Sequence, residues 1–323
     1  MESFKCKICG NAENNTPLKV REMMFGLHEE FPYFRCADCG CLQIVEPPKD
    51  MGKYYDAGKY YSYHMQVKTS KARDWLHRLL FFLFKCRLLP ANFRYLRSFP
   101  ALDVIRKVKK RAAILDIGCG DGRLIQDMGV WGWKNLTGID PFVEKDTVSP
   151  YGVKVLKQSV FEHSGQYDFI MMHHSLEHLD NQHEVFRLLS RLLKPDGALL
   201  IRIPVADGYP YRRYGASWFA IDAPRHYYLH TTQSIFALAQ ANGFCLKNVA
   251  YDSSLYECFN CSRKTYSQKG AYKDKPVSKK RIKFLKKQAK ALNEMHDGGC
   301  ARYIFTKTYS NDFDGAKKQT TES

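Results

Sequence analysis

The sequence predicts an α/β protein built on a mostly parallel sheet, with a small cysteine-bearing module ahead of it. Three observations carry this expectation. Ile114-Leu-Asp-Ile-Gly-Cys-Gly-Asp-Gly122 passes from apolar residues into a glycine turn, as a buried strand does when it opens a helix. Leu136-Thr-Gly-Ile-Asp140 is a second apolar run, and its terminal carboxylate lies eighteen residues past Gly122. That spacing suits an acid at a strand end that meets a ribose hydroxyl pair. Cys6-Lys-Ile-Cys9-Gly10 and Cys36-Ala-Asp-Cys39-Gly40 are paired Cys-x-x-Cys-Gly turns with 26 residues between them.

Taken in chain order, residues 1–46 read as a zinc ribbon. Two cysteines three apart can chelate from a tight turn, and the following glycine lets backbone N–H groups approach the thiolates. Cys6, Cys9, Cys36 and Cys39 would complete a closed, structural Cys₄ zinc site, with Cys41 as a spare thiol. Residues 47–110 read as a linker and cap. The segment carries Pro47-Pro48 and the aromatics Tyr54, Tyr55, Tyr60, Tyr61 and Tyr63. Trp75 to Leu89 is a dense apolar run among cations, too short to span a bilayer. It suits either a buried cap helix, the favoured reading, or a helix lying at a membrane interface.

Size and charge bound the rest. The 323 residues accommodate one α/β domain plus a small module. No apolar secretory region opens the chain, so a cytoplasmic protein is expected, peripheral to the inner membrane face if the cap helix docks there. Eleven cysteines then argue for metal and free thiols over disulfides. The net charge of +17 is uneven: residues 71–111 carry +10 and residues 263–290 carry +11, leaving −4 elsewhere. The basicity therefore belongs to two segments and not to the prospective catalytic core. Residues 111–310 hold that core, and residues 311–323 read as a polar tail.

Asp116-Ile-Gly-Cys-Gly-Asp-Gly122 resembles motif I of class I S-adenosylmethionine-dependent methyltransferases. A carboxylate before the glycine turn suits a ligand bearing an ammonium and a sulfonium and would be unfavourable beside a pyrophosphate. Tyr167–Met172 with His173–Leu179 resembles the fourth strand and next helix start. Leu192–Ile203 resembles the turn into the fifth strand. Trp218–His226, followed by Thr231–Phe244, resembles a branch of small-molecule methyltransferases of glycan and secondary-metabolite pathways. The resemblance implies a Rossmann-like domain with a seven-stranded, mostly parallel sheet. It implies S-adenosylmethionine lying against Asp116, Gly118, Cys119 and Gly120 at its methionine end, with Asp140 and Pro141 at the ribose. Ser159 and Val160 would lie near adenine, and His173 would complete the cofactor set. Ser159 stands where many relatives carry Asp.

Chemistry is expected at the C-terminal edge of the sheet, where open α/β sheets place it. His174, Glu177, His178 and His226 are the candidate catalytic groups, since a hydroxyl acceptor benefits from a general base. Arg225 could meet a phosphate or carboxylate on the acceptor, or brace its loop through Asp222. Asn181 with Glu184 reads as a capping box. Beyond the predicted sixth strand, Cys245–Tyr251, an insertion spans about residues 253–300. It contains the basic helix Lys279–Leu292, with Ile282, Leu285, Ala289 and Leu292 on one face, and Cys258-x-x-Cys261 as an incidental pair. The seventh strand is Arg302–Lys307.

These features point to methyl transfer onto a small-molecule or glycan-type acceptor, phosphate-bearing if the basic segments meet it, through oxygen or carbon. One rival is an RNA base methyltransferase that uses the zinc module and basic segments. Against it, Met-Met-His-His-Ser replaces the Asn/Asp-Pro-Pro-Tyr turn of many base-methylating enzymes. The second is a non-catalytic cofactor-binding scaffold docked on a membrane or complex.

Overall fold

A computed structural model describes residues 4–55, 70–90, 96, 99, 101–259 and 278–308. Tyr60, Tyr61, Tyr63, Cys261 and the expected tail lie outside the described residues.

The N-terminal module is an antiparallel meander of β1 (Thr16–Arg21), β2 (Glu30–Arg35) and β3 (Leu42–Ile44). Beyond it come the helices α1 (Lys71–Lys85) and α2 (Leu102–Ile105). The alternating elements follow as β4 (Ala113–Ile117), α3 (Arg123–Val130), β5 (Asn135–Ile139), β6 (Thr147–Val148), β7 (Lys154–Leu156), β8 (Tyr167–His173) and α4 (Gln182–Leu192). Then come β9 (Leu193–Pro204), α5 (Tyr209–Tyr214), β10 (Tyr228–Leu229), α6 (Thr232–Ala241), β11 (Phe244–Tyr251), α7 (Leu255–Cys258), α8 (Lys279–Glu294) and β12 (Cys300–Lys307).

The large sheet runs β11-β12-β9-β8-β4-β5-β7-β6. Strands β9, β8, β4, β5 and β7 are parallel, and β12 enters antiparallel between β9 and β11. The sheet therefore has eight strands where seven are expected. The eighth, β6, is a two-residue strand folded back on the edge strand β7, and a segment that short carries no readable periodicity. Both faces are covered, so the buried stretches Ile114-Leu115 of β4 and Phe169–Met172 of β8 are apolar on both sides. On one face Ile170, Met172, Val185, Phe186, Leu189, Ile235 and Leu238 form a core. On the other, Ile114, Met171, Ile125, Met128, Trp131 and Trp133 pack with Phe81 and Phe84 of α1.

The cysteine module is joined to this body by backbone pairing. β10, just after His226, pairs antiparallel with β3 and becomes the fourth strand of the N-terminal sheet. His183 hydrogen-bonds the Ile8 carbonyl at 2.9 Å, and Thr231 donates to the Cys39 carbonyl at 2.6 Å.

Two local expectations change. Asn181 precedes α4 in a left-handed conformation (φ 48°) and caps no amide with its side chain, so the capping box does not form. Its carboxamide instead donates to Glu184 at 2.5 Å. The basic helix α8 buries Leu285, Ala289 and Leu292 as its spacing requires, against Leu255, Cys258 and Phe259. Cys258 is thus part of a small apolar core.

Candidate active site

The glycine turn after β4 is locked by its neighbours. The amides of Gly118 and Cys119 donate to the Ile139 carbonyl at 2.9 and 3.2 Å. Gly118 has φ +73°, and a Cβ there would stand 2.4 Å from Ser175 Cβ, so only glycine allows the two loops to touch. Ser175 in turn donates to the Ile117 carbonyl at 2.8 Å. Asp140, at the end of β5, accepts from Gly120 N–H at 3.0 Å and from Phe142 N–H at 2.9 Å. It therefore shapes the turn while keeping free lone pairs on both oxygens.

Asp116 and Asp140 are both buried, and among the described residues neither pairs with Lys or Arg. Burial, together with the neighbouring Asp140 carboxylate, raises Asp116 to about 7. Burial raises Asp140 as well, against the two amides that bond it. Two buried carboxylates that lack a cation of their own suit a ligand that brings positive charge. Of the other expected cofactor residues, Ser159 Oγ accepts from Phe161 N–H at 3.0 Å, and Val160 is buried in the core. Pro141 is exposed at the rim. His173 ends β8 with both ring nitrogens buried and, among the described residues, without a hydrogen-bond partner, and burial lowers it to about 3.

The reactive edge brings the four catalytic candidates together and separates their roles. His174 accepts from Arg202 at one ring nitrogen and faces Glu177 Oε1 at 3.3 Å with the other. Both ring nitrogens of His174 are thus engaged, between Arg202 and Glu177. Glu177 is buried, and burial pushes its carboxyl up. The His174 hydrogen bond and the charges of His174, His226 and His178 outweigh this and hold it at about 2. It remains ionised at neutral pH, and Oε2 has no hydrogen-bond partner among the described residues.

His178 Nδ1 lies 2.9 Å from the Arg225 carbonyl, and His226 Nδ1 lies 2.7 Å from the Ala220 carbonyl. A carbonyl only accepts, so each Nδ1 carries the proton and each Nε2 carries the lone pair. Burial and the adjacent His178 lower His226 to about 4, which keeps it neutral. The two rings are 4.6 Å apart, edge to face, and Glu177, His178 and His226 each offer a ligand atom within 4.8 Å of the others.

Arg225 is fully buried. It donates to Asp222 Oδ2 at 2.8 Å and to the Tyr54 carbonyl at 3.2 Å, lies 3.5 Å from Glu22, and covers the Phe25 ring. These contacts brace the loop through Asp222, one of the two roles expected of Arg225.

The family described as "Methyltransferase domain" matches residues 66–248, just over half of the chain. This chain belongs to that family. Its parallel strands and glycine turn carry the Rossmann-like methyltransferase fold. The ubiquinone biosynthesis O-methyltransferase of Erwinia tasmaniensis is 34% identical to it over 95 residues, covering 26% of this chain and 39% of that protein. The corresponding protein of Xanthomonas oryzae pv. oryzae is 29% identical over 137 residues, covering 36% and 55%. The chain thus spans 39–55% of the length of these curated relatives. The solved 1,6-didemethyltoxoflavin-N1-methyltransferase of Burkholderia thailandensis is 16% identical, covering 85% of this chain and 97% of that one, with a TM-score of 0.40.

Two further residues reach the site: Tyr55, one of the aromatics of the expected cap, and Arg202, which the sequence did not single out. Tyr55 hydroxyl is 3.1 Å from His178 Nδ1, and its ring stacks on Phe142 at 5.3 Å, so the cap reaches the reactive edge. Arg202 on β9 bonds Asp252 at 2.9 Å and Glu257 at 3.1 Å, tying the α7–α8 insertion to His174. Nothing in the spacing of residues 202 and 257 announces that link.

The four cysteine sulfurs of the N-terminal module also converge. Cys6 and Cys39 Sγ are 3.7 Å apart, and Cys9 and Cys36 Sγ are 3.5 Å apart, too far for disulfides. Zinc–sulfur bonds of about 2.3 Å in a tetrahedron give sulfur–sulfur edges of about 3.8 Å, so the site fits that ion. The Ile8 and Cys9 amides and Gln43 Nε2 point at Cys6 Sγ. Cys41 is fully buried and outside the cluster.

Proposed function

We propose that this methyltransferase methylates a hydroxyl oxygen of a small-molecule or glycan-type acceptor, with His178 removing the proton. The observation that carries the reading is the Glu177–His178–His226 cluster at the end of β8. His178 is half-buried and reaches the cleft beside Asp140 and Tyr55. Its Nδ1–H is held by the Arg225 carbonyl, so Nε2 is presented as the acceptor of a proton. Ionised Glu177 stabilises the imidazolium that forms, and buried His226 excludes water from one side of the ring. The O-methyltransferase names of the two curated relatives support attack through oxygen. The resemblance of Trp218–His226 to small-molecule enzymes supports the acceptor class.

S-adenosylmethionine, when bound, supplies the methyl group and its own leaving group. Asp116 would meet its positively charged end and Asp140 its ribose. The protein's own contribution is position, desolvation and the base. We also assign zinc to Cys6, Cys9, Cys36 and Cys39, as a closed structural site.

The test is transfer of labelled methyl from S-adenosylmethionine to a panel of catechols and nucleotide sugars. His178→Ala should lower turnover about 10²–10⁴-fold with cofactor affinity unchanged. A loss of only about two-fold for both His178→Ala and His226→Ala would rule out a histidine base.

A further inference from the structure

Helix α1 is apolar on two faces, and among the described residues only one of them is packed into the fold. Inward, Phe81 stacks on Trp131 at 4.4 Å and Phe84 is buried. Arg78 ties the helix down by donating to the Val130 carbonyl at 2.8 Å. Outward, Trp75 is 65% exposed, Leu76 46%, Leu79 36% and Phe82 59%, and Leu88 just past the helix is 70% exposed. At 100° per residue these four helical side chains span about 120°. Ala72, Leu83 and Cys86 fall in the same arc, which contains no charged residue.

Cations border that arc. Lys71 and Lys85 lie along one margin and Arg73 beyond the other, within a segment that carries +10 over residues 71–111. Its two acids are engaged elsewhere: Asp74 accepts the Tyr151 hydroxyl, and Asp103 pairs with Arg302. An apolar ridge between rows of cations, on a helix whose opposite side is anchored in a folded body, is the pattern of an interfacial helix. A tryptophan at such a ridge suits the boundary between acyl chains and headgroups. A second copy of this chain would bring the same positive margins together, which electrostatics opposes.

We propose that the outer face of α1, from Trp75 to Leu88, docks this enzyme on an anionic lipid bilayer. The apolar side chains enter the headgroup boundary while the flanking lysines and arginines meet lipid phosphates.

Flotation of the full chain with phosphatidylcholine vesicles, alone or with phosphatidylglycerol, tests this. Binding should require the anionic lipid and weaken at high salt. Trp75→Ala with Phe82→Ala should lower vesicle partitioning about thirty-fold or more, since both rings leave the lipid. S-adenosylhomocysteine binding and the melting temperature should stay unchanged. Lys71→Glu with Lys85→Glu, which spares the ridge, should remove the preference for anionic lipid. Equal partitioning of wild type and the Trp75/Phe82 variant would overturn the proposal. So would a concentration-dependent dimer, seen by light scattering, that the same variant dissolves.

Discussion

Asp116 makes the strongest quantitative claim about the cofactor cleft. Its carboxyl is buried beside Asp140 and sits at about 7, whereas an unfolded aspartate titrates near 3.9. Ammonium binding requires the ionised form, so apparent affinity must fall once Asp116 is protonated. With a value of about 7, moving from pH 7.0 to pH 5.5 should weaken S-adenosylhomocysteine binding about fifteen-fold, from the protonated fraction alone. The homocysteine product is a useful probe because it keeps the amino group and lacks the sulfonium. Asp116→Asn should bind weakly and show a flat profile over the same range. Calorimetry at several pH values measures both. A wild-type change of less than about two-fold, or an unchanged slope in the Asn variant, would refute the pairing. The apo protein should move the other way. A carboxyl raised by folding contributes stability that is present below about pH 4 and lost as pH rises through 7.

Two further outcomes follow from the buried groups. Arg225→Met leaves Asp222 and Glu22 without their buried cation, which should cost about 3–5 kcal/mol and lower the melting temperature by roughly 10 °C. A loss below about 1 kcal/mol, with a raised acceptor KM, would assign Arg225 to the acceptor. Purified protein should carry about one equivalent of zinc, lost in Cys36→Ala along with thermal stability; under about half an equivalent in wild type would remove the metal assignment.

The cofactor half of this molecule is legible because its signals are local. An apolar run into a glycine turn, followed by a carboxylate at the end of the next strand, needs no distant partner to be recognised. The two Cys-x-x-Cys turns are legible for the same reason. The roles at the reactive edge depend on residues far apart in sequence. No local pattern pairs Arg225 with Glu22, found 3.5 Å away. None places Arg202 at one ring nitrogen of His174. Asn181 has the side chain of a cap, but its left-handed backbone removes it from that role. No pattern in Tyr228-Leu229 reveals that it completes the N-terminal sheet.

That last pairing has a consequence for how the chain is made and altered. The partner of Leu42 is Leu229, so a nascent chain exposes a three-stranded fragment until most of the catalytic region has left the ribosome. Closure waits on a long-range contact, the kind that slows folding most. Exchange of the first 46 residues with those of a relative should therefore succeed only when the short edge after His226 travels with them. In evolutionary terms the two parts would have to be inherited as one unit.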